Sequence, residues 1–125
     1  MIIGIGTDIA EVPRILKSIA NLSFRDRVFS AAEIIYCETK TNKEESYAAR
    51  FAAKEAFFKA LGTGWRGGMA FNEVEVQNDE LGKPTLNILG ATAEIIKERN
   101  IRIIHVSLSH IKDVAMATVV LEGWE

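Results

Sequence analysis

The sequence contains little of what marks several common classes of protein. One cysteine, Cys37, among 125 residues excludes a disulfide framework and a cysteine metal cluster. No apolar run approaches the length that crosses a membrane, and the N-terminal residues lack the basic region of a signal peptide. The net charge of −2 gives no global indication of nucleic-acid binding. We therefore expect a cytoplasmic protein with no membrane or nucleic-acid partner.

Two glycine-containing segments do not match the phosphate-binding motifs that they superficially suggest. Gly4-Ile-Gly6 is followed by Ile9 where a dinucleotide-binding fingerprint needs a third glycine. The segment 62–68 lacks the Gly-Lys-Ser/Thr end of a P-loop and opens no helix. We interpret it as a mobile loop that carries Trp65 and Arg66.

The length and composition indicate one globular domain, residues 1–125. Hydrophobic residues make up 48% and charged residues 26% of the chain, with no internal repeat or low-complexity stretch. Periodicity and turn residues predict the order β-α-α-α-β-β-α-β-β and hence an α+β fold with antiparallel pairing. The predicted elements cover residues 2–9, 13–20, 30–40, a long helix that ends at Gly62, 71–77, 85–89, 91–100, 101–109 and 114–121. Capping-box patterns, Ser30-Ala-Ala-Glu33 and Thr41-Asn-Lys-Glu44, predict the starts of the second helix and of the long helix.

The long helix is the most informative element, because apolar residues occupy both of its sides. Its aromatic stripe includes Tyr47, Phe51 and Phe58, and alanines cover the opposite side. The helix nevertheless carries charges. Glu55 and Lys59 have the spacing of an ordinary surface pair, which stabilises a helix by about 0.2–0.5 kcal/mol. Burial near the stripe favours instead charges that are paired or bound to a ligand.

Two strands place polar side chains on one face. In the first strand, Gly4 and Gly6 share a face with Asp8, so that they clear space beside a carboxylate. In the strand 101–109, His105 and Ser109 lie opposite the apolar residues. A lone histidine is commonly structural, but imidazole and hydroxyl groups on one face suit phosphate oxygens.

Basic residues are concentrated near the N-terminus. Between residues 12 and 28 the chain has four basic residues and one acidic residue, Asp26. The basic residues are Arg14, Lys17, Arg25 and Arg27. This pattern fits a docking surface for an acidic partner, and it fits equally a solvated helix face.

Four motifs in this order resemble the holo-acyl-carrier-protein synthases, the small class of 4′-phosphopantetheinyl transferases. The resemblance extends over the whole chain. It implies the family's fold, in which an antiparallel sheet packs around a long central helix. The motifs are Gly6-Thr-Asp8, Phe51-Ala-Ala-Lys-Glu-Ala-Phe-Phe-Lys59, Gly82-Lys-Pro84 and His105-Val-Ser-Leu-Ser-His110.

The resemblance implies transfer of the phosphopantetheine arm of coenzyme A to a serine of apo-acyl carrier protein. Adenosine 3′,5′-bisphosphate is released, and the reaction serves fatty acid biosynthesis. Asp8 and Glu55 are expected to hold Mg²⁺ against the coenzyme A diphosphate, since this ion takes few carboxylates and keeps several waters. Lys59 is expected to contact a phosphate. The base remains open between Glu55 directly, Glu55 through a water, and Asp8.

The same resemblance gives roles to residues outside these three. His105 is expected at the phosphates or near the attacking hydroxyl, as a catalytic residue. Arg14, with Arg25 or Arg27, would dock the acidic helix of acyl carrier protein. The family also implies a homotrimer with active sites between subunits. Candidates for further contacts with coenzyme A are Arg50, Lys54, Lys83, Pro84 and Ser109.

Two other functions fit the same residues. In the first, the chain is a non-catalytic oligomeric module in which Asp8, Glu55 and Lys59 form a buried ion network. In the second, it is another Mg²⁺-dependent phosphotransferase or hydrolase that uses the same carboxylate pair.

Overall fold

A computed structural model describes residues 1–64 and 67–124 of the chain. Trp65 and Arg66, the side chains predicted on the glycine-rich loop, lie outside the described residues, as does Glu125. Among the residues described, no helix combines the length and apolar character that crossing a membrane requires.

The N-terminal third is a strand followed by three short helices. β1 (Ile2–Glu11) runs directly into α1 (Val12–Ile19), where proline occupies the first turn, and α3 spans Ala31–Glu38. The predicted capping box of α3 is confirmed: Ser30 Oγ accepts from Glu33 N, and a Glu33 carboxylate oxygen accepts from Ser30 N. Between them the structure adds α2 (Leu22–Val28), in a stretch for which no element was predicted.

The long helix α4 spans Lys43–Ala60 and ends, as predicted, before Gly62 at a positive φ of 82°. Its predicted start was wrong. Asn42, not Thr41, is the N-cap residue, and its side chain makes no capping hydrogen bond.

The rest of the chain forms two antiparallel hairpins and one helix. Residues Phe71–Glu73 form a 3-10 helix rather than the start of a strand. The hairpin of β2 (Val74–Asn78) and β3 (Pro84–Ile88) is a sheet of its own, and β1 joins the second hairpin in the order β1-β5-β4. The remaining elements are α5 (Gly90–Glu98), β4 (Ile101–His110) and β5 (Val114–Gly123). The α+β class and the antiparallel sheets agree with the prediction.

The close approach of α4 to β1 explains the small residues on both elements. A Cβ atom at Gly4 would collide with the Ala60 carbonyl oxygen, and one at Gly6 would collide with the Ala56 carbonyl oxygen. Both carbonyls are backbone groups of the helix, so a side chain on either glycine would push the two elements apart. The glycine face of β1 is therefore the face that packs against α4, and the alanine side of the helix is buried as expected.

A buried ion pair joins α4 to α3 and β2, and it corrects the prediction for Lys54. Lys54 is fully buried, and its ammonium donates to Glu33 Oε1 at 2.6 Å, to the Val74 carbonyl at 2.6 Å and to the Phe71 carbonyl at 3.0 Å. An ammonium has three N–H donors, and three acceptors occupy them. Lys54 is a structural lysine with no donor left for coenzyme A.

We predict that Lys54→Met lowers the free energy of unfolding by about 3–5 kcal/mol, because the buried Glu33 carboxylate loses the ammonium at 2.6 Å and keeps the guanidinium of Arg50 at 4.0 Å. Lys43→Met is the matched control on the same helix, since the Lys43–Glu38 pair is exposed and contributes about 0–1 kcal/mol. Urea denaturation of both variants measures the difference. Similar losses in the two variants would contradict the structural role of Lys54.

Candidate active site

Three charged side chains meet where β1 passes the C-terminal part of α4. The ammonium of Lys59 lies 2.8 Å from Asp8 Oδ1 and also donates to the Thr7 carbonyl at 3.2 Å. Glu55 precedes Lys59 by one helical turn, so that both lie on one side of α4. Two periodicities of the sequence place these residues. The helical period puts Glu55 and Lys59 on one side of α4, and the strand period puts Asp8 on the same face as Gly4 and Gly6, which bring β1 close to the helix.

Glu55 lies one turn before Lys59 on the side of α4 that contacts Asp8, which brings the two carboxylates into one cluster. Burial, and then the negative charge of Asp8, raise the pKa of Glu55 above its ordinary value, while Lys59 acts in the opposite direction. The hydrogen bond to Asp8 raises the pKa of Lys59, so this side chain stays a cation. The cluster thus contains two adjacent carboxylates and one ammonium.

This cluster is not the buried ion network that a purely structural module would use. The Lys59 side chain is 55% exposed and that of Asp8 is 15% exposed, in contrast to the fully buried Lys54–Glu33 pair. Small anions and cations can therefore reach the Asp8–Lys59 pair, whereas the Lys54–Glu33 pair on the same helix is closed to them.

The donor set suits a hard divalent cation. Within residues 1–64 and 67–124, no group of three or more His, Cys, Asp or Glu side chains is arranged around a common metal position. Two adjacent carboxylates are what Mg²⁺ uses in phosphate-binding sites, where water and substrate oxygens complete the coordination. Asp8 and Glu55 therefore fit the predicted ion.

An open cleft of about 360 Å³ leads to Glu55 between α1, α2 and α4. Arg14 and Phe24 are also in its wall. A neighbouring cleft of about 500 Å³ shares Phe24 and contains Arg27. Arg25 lines a third pocket, with Glu38 and Lys43, and pairs with Asp26 at 3.2 Å.

Arg25 and Arg27, the two arginines predicted as alternatives beside Arg14, lie on different sides of α2. Arg25 and Arg27 are about 200° apart around α2, because each residue turns a helix by about 100°. Arg14 lines the cleft that reaches Glu55, Arg27 lines the neighbouring cleft that shares Phe24, and Arg25 lines a separate pocket. Sequence reasoning missed this division because it did not predict α2.

Arg50 lies beside the turn that contains the Gly82-Lys83-Pro84 motif. Its guanidinium donates to Asn78 Oδ1 at 2.7 Å and stacks on the Tyr36 ring at 4.2 Å. Asn78 in turn donates to the Gly82 carbonyl. Lys83 is exposed and Pro84 begins β3.

This contact places the turn on a different side of α4 from the carboxylates. Arg50 and Glu55 are five residues apart and hence about 140° apart around the helix. Sequence reasoning also missed Asn78, whose position directly before the turn was the available signal.

His105 and Ser109 lie on the face of β4 opposite to α4, and both are exposed. In register, His105 is level with Val120 and Ile5, and Ser109 with Met116 and Ile9. His105 Nε2 lies 3.1 Å from Glu122 Oε2. Asp8 lies on the inner face of the same sheet. One copy of the chain therefore brings together Asp8, Glu55 and Lys59, but not His105 or Ser109.

Comparison with known proteins supports the predicted resemblance. A family model described as "4′-phosphopantetheinyl transferase superfamily" matches residues 4–119 of the chain. A holo-[acyl-carrier-protein] synthase of Syntrophus aciditrophicus is 46% identical over 125 residues, with 98% of each chain covered.

Solved structures give the same result. The crystal structure of holo-[acyl-carrier-protein] synthase from Neisseria meningitidis superposes with a TM-score of 0.90 at 36% identity, covering 98% of this chain and 99% of that one. A Bacillus anthracis holo-(acyl-carrier-protein) synthase in complex with CoA (3′,5′-ADP) gives a TM-score of 0.83 at 39% identity, with 99% of each chain covered. The chain therefore belongs to the 4′-phosphopantetheinyl transferase superfamily, within its holo-[acyl-carrier-protein] synthase family.

Proposed function

We propose that this protein transfers the 4′-phosphopantetheine group of coenzyme A to a serine hydroxyl of apo-acyl carrier protein. The reaction depends on Mg²⁺, releases adenosine 3′,5′-bisphosphate and serves fatty acid biosynthesis in the cytoplasm. The observation that carries the proposal is the accessible Asp8–Glu55–Lys59 cluster beside a cleft that also contains Arg14, in a chain of this family.

The chemistry requires positioning and charge neutralisation more than covalent participation of the protein. The serine oxygen bonds to the phosphorus that carries the pantetheine, and the bond from this phosphorus to the bridging oxygen breaks. Mg²⁺, when held by Asp8 and Glu55, supplies positive charge at the diphosphate. Lys59 stabilises the negative charge that develops on the leaving phosphate.

The serine proton must also move to a base. A carboxylate near the hydroxyl accepts it best when its pKa lies close to the working pH. The raised pKa of Glu55 supports this residue as the base.

We predict that the protein, coenzyme A and Mg²⁺ together raise the mass of apo-acyl carrier protein by one phosphopantetheine group. Intact-protein mass spectrometry measures the change. Glu55→Gln should abolish the shift because it removes a metal-binding carboxylate, whereas Glu94→Gln, a substitution of an exposed carboxylate on α5, should leave it unchanged. An unmodified carrier in the presence of folded wild-type protein would rule out the transferase.

We propose that the carrier docks at the surface formed by Arg14, Phe24 and Arg27. Both arginines border clefts that meet at Phe24, and one of these clefts ends at Glu55. A carrier bound there would hold its serine close to the carboxylates. Acidic residues of the partner would pair with the arginines, which chiefly accelerates association and improves specificity.

Charge-reversal variants can show which side of α2 binds the carrier. We predict that Arg14→Glu raises KM for acyl carrier protein by about tenfold, since it introduces repulsion at the proposed surface, and leaves KM for coenzyme A nearly unchanged. Arg25→Glu is the matched control, with the same change of charge on the opposite side of α2. Steady-state kinetics with each substrate varied would contradict the surface if both variants raised KM for the carrier equally.

We propose further that the active protein is a homotrimer whose sites combine residues of two copies. The outer face of the three-stranded sheet is apolar and exposed: Ile5 is 68% exposed and Ile9 is 67% exposed, although both lie in a paired strand. Large apolar patches of this kind mark interaction surfaces. The same face carries His105 and Ser109, which one chain cannot bring to its own Asp8.

A second copy seated on this face would bring His105 of one subunit to the carboxylates of another. Coenzyme A could then contact the candidates that one chain leaves apart, namely Arg50, Lys83, Pro84, His105 and Ser109. The trimeric state itself comes from the family resemblance.

Mixing of inactive variants tests the shared site. We predict that Asp8→Ala and His105→Ala are each nearly inactive alone, and that co-expression restores about a quarter of the sites, because some interfaces then combine two intact halves. Asp8→Ala mixed with Glu55→Ala is the control, since both residues come from one chain and no intact site can form. Failure of the first pair to recover activity in purified mixed oligomers would contradict the interfacial site, and sedimentation gives the subunit number.

A further inference from the structure

The Lys59 ammonium occupies the position at which Asp8 would otherwise present a free carboxylate oxygen. It donates to Asp8 Oδ1 at 2.8 Å and to the Thr7 carbonyl at 3.2 Å, so two oxygens of β1 hold it. Among residues 1–64 and 67–124, it is the basic group within 4.0 Å of either carboxylate of the cluster. Lys59 is thus the counter-ion of the cluster before any ligand arrives.

A divalent cation and the Lys59 ammonium would compete for the negative charge of the Asp8 carboxylate. Asp8 and Glu55 repel each other when both are ionised, and Lys59 offsets that repulsion. A cation held by both carboxylates would offset it more strongly and would repel the nearby ammonium. Because the Lys59 side chain is 55% exposed and has a flexible four-carbon stem, it can leave Asp8 without repacking the helix.

We propose that Lys59 is an exchangeable counter-ion that couples metal binding to coenzyme A binding. The ammonium neutralises Asp8 in the free protein, and it moves to an anionic phosphate when Asp8 turns to the cation. This inference rests on the proposed function and deepens it. A phosphate that draws Lys59 away from Asp8 raises the affinity for the cation, and by linkage the cation raises the affinity for coenzyme A by the same factor.

This coupling differs from simple phosphate binding by Lys59. If Lys59 only contacted phosphate, its removal would weaken coenzyme A binding and leave metal binding to the free protein unchanged. As a counter-ion of Asp8, Lys59 lowers the metal affinity of the free protein. Removing its charge must then strengthen metal binding in the absence of coenzyme A.

Calorimetric measurement of Mn²⁺ binding to the protein without coenzyme A tests the exchange. We expect Lys59→Met to bind Mn²⁺ about three- to tenfold more tightly than wild type, because a competing and repelling charge is removed. Lys59→Arg should resemble wild type. Lys97→Met removes an equal charge from α5, away from the carboxylates, and should change the affinity by less than about twofold, since distant exposed charges are screened. Thermal unfolding verifies that each variant is folded.

Coenzyme A binding with and without Mn²⁺ provides the second measurement. Wild type should bind coenzyme A more tightly when Mn²⁺ is present, and Lys59→Met should lose most of this gain. Equal or weaker Mn²⁺ binding by Lys59→Met, or an undiminished gain, would overturn the exchange while leaving the transferase proposal intact. Absence of Mn²⁺ binding by all four proteins would overturn it as well, and the carrier-mass assay would then decide separately whether transfer occurs.

Discussion

The salt bridge between Glu33 and Lys54 is the interaction on which the rest of the structure depends. One carboxylate accepts hydrogen bonds from the N-cap of α3, from the Lys54 ammonium and from the Val76 amide of β2. Three elements that are distant in sequence therefore meet at a fully buried charge. The expected loss on breaking such a pair is large because a buried carboxylate without its partner is costly, even where the intact pair contributes little net stability.

This ion pair also fixes the rotation of α4. Lys54 and Glu55 are adjacent and point about 100° apart around the helix. With Lys54 held in the core, Glu55 must turn toward β1, and Lys59 follows it one turn later. The buried Lys54–Glu33 pair therefore also determines where Glu55 and Lys59 of the accessible cluster lie. One helix carries both, and the difference in exposure between Lys54 and Lys59 separates the structural lysine from the one that can meet a ligand.

Much of the architecture could be read from local patterns. Alternation identified the strands, and the Ser30–Glu33 capping box identified the start of α3. The positions of the glycines opposite Ile5 predicted a strand face that clears space, and the structure shows α4 filling it. These predictions succeeded because each depends on residues that are close in the sequence.

The failures involve contacts between distant segments. The structural role of Lys54 was not predicted, because its acceptors, Glu33 and the carbonyls around β2, could not be located from the helix alone. The choice between Arg25 and Arg27 as the companion of Arg14 stayed open because α2, which directs the two to opposite sides, was not recognised. Thr41 has the spacing of a capping residue, yet the turn before α4 places Asn42 at that position.

The glycines of β1 have a consequence for the fidelity of folding. A strand that slipped by one residue against β5 would bring isoleucine or threonine side chains to the positions of Gly4 and Gly6, where the carbonyls of Ala60 and Ala56 leave no space even for a methyl group. The wrong register is excluded sterically before any charge is considered. The same slip would turn Asp8 outward, away from Glu55 and Lys59. The close packing of β1 against α4 therefore has two effects: it excludes the slipped register, and it keeps Asp8 on the same side as Glu55 and Lys59.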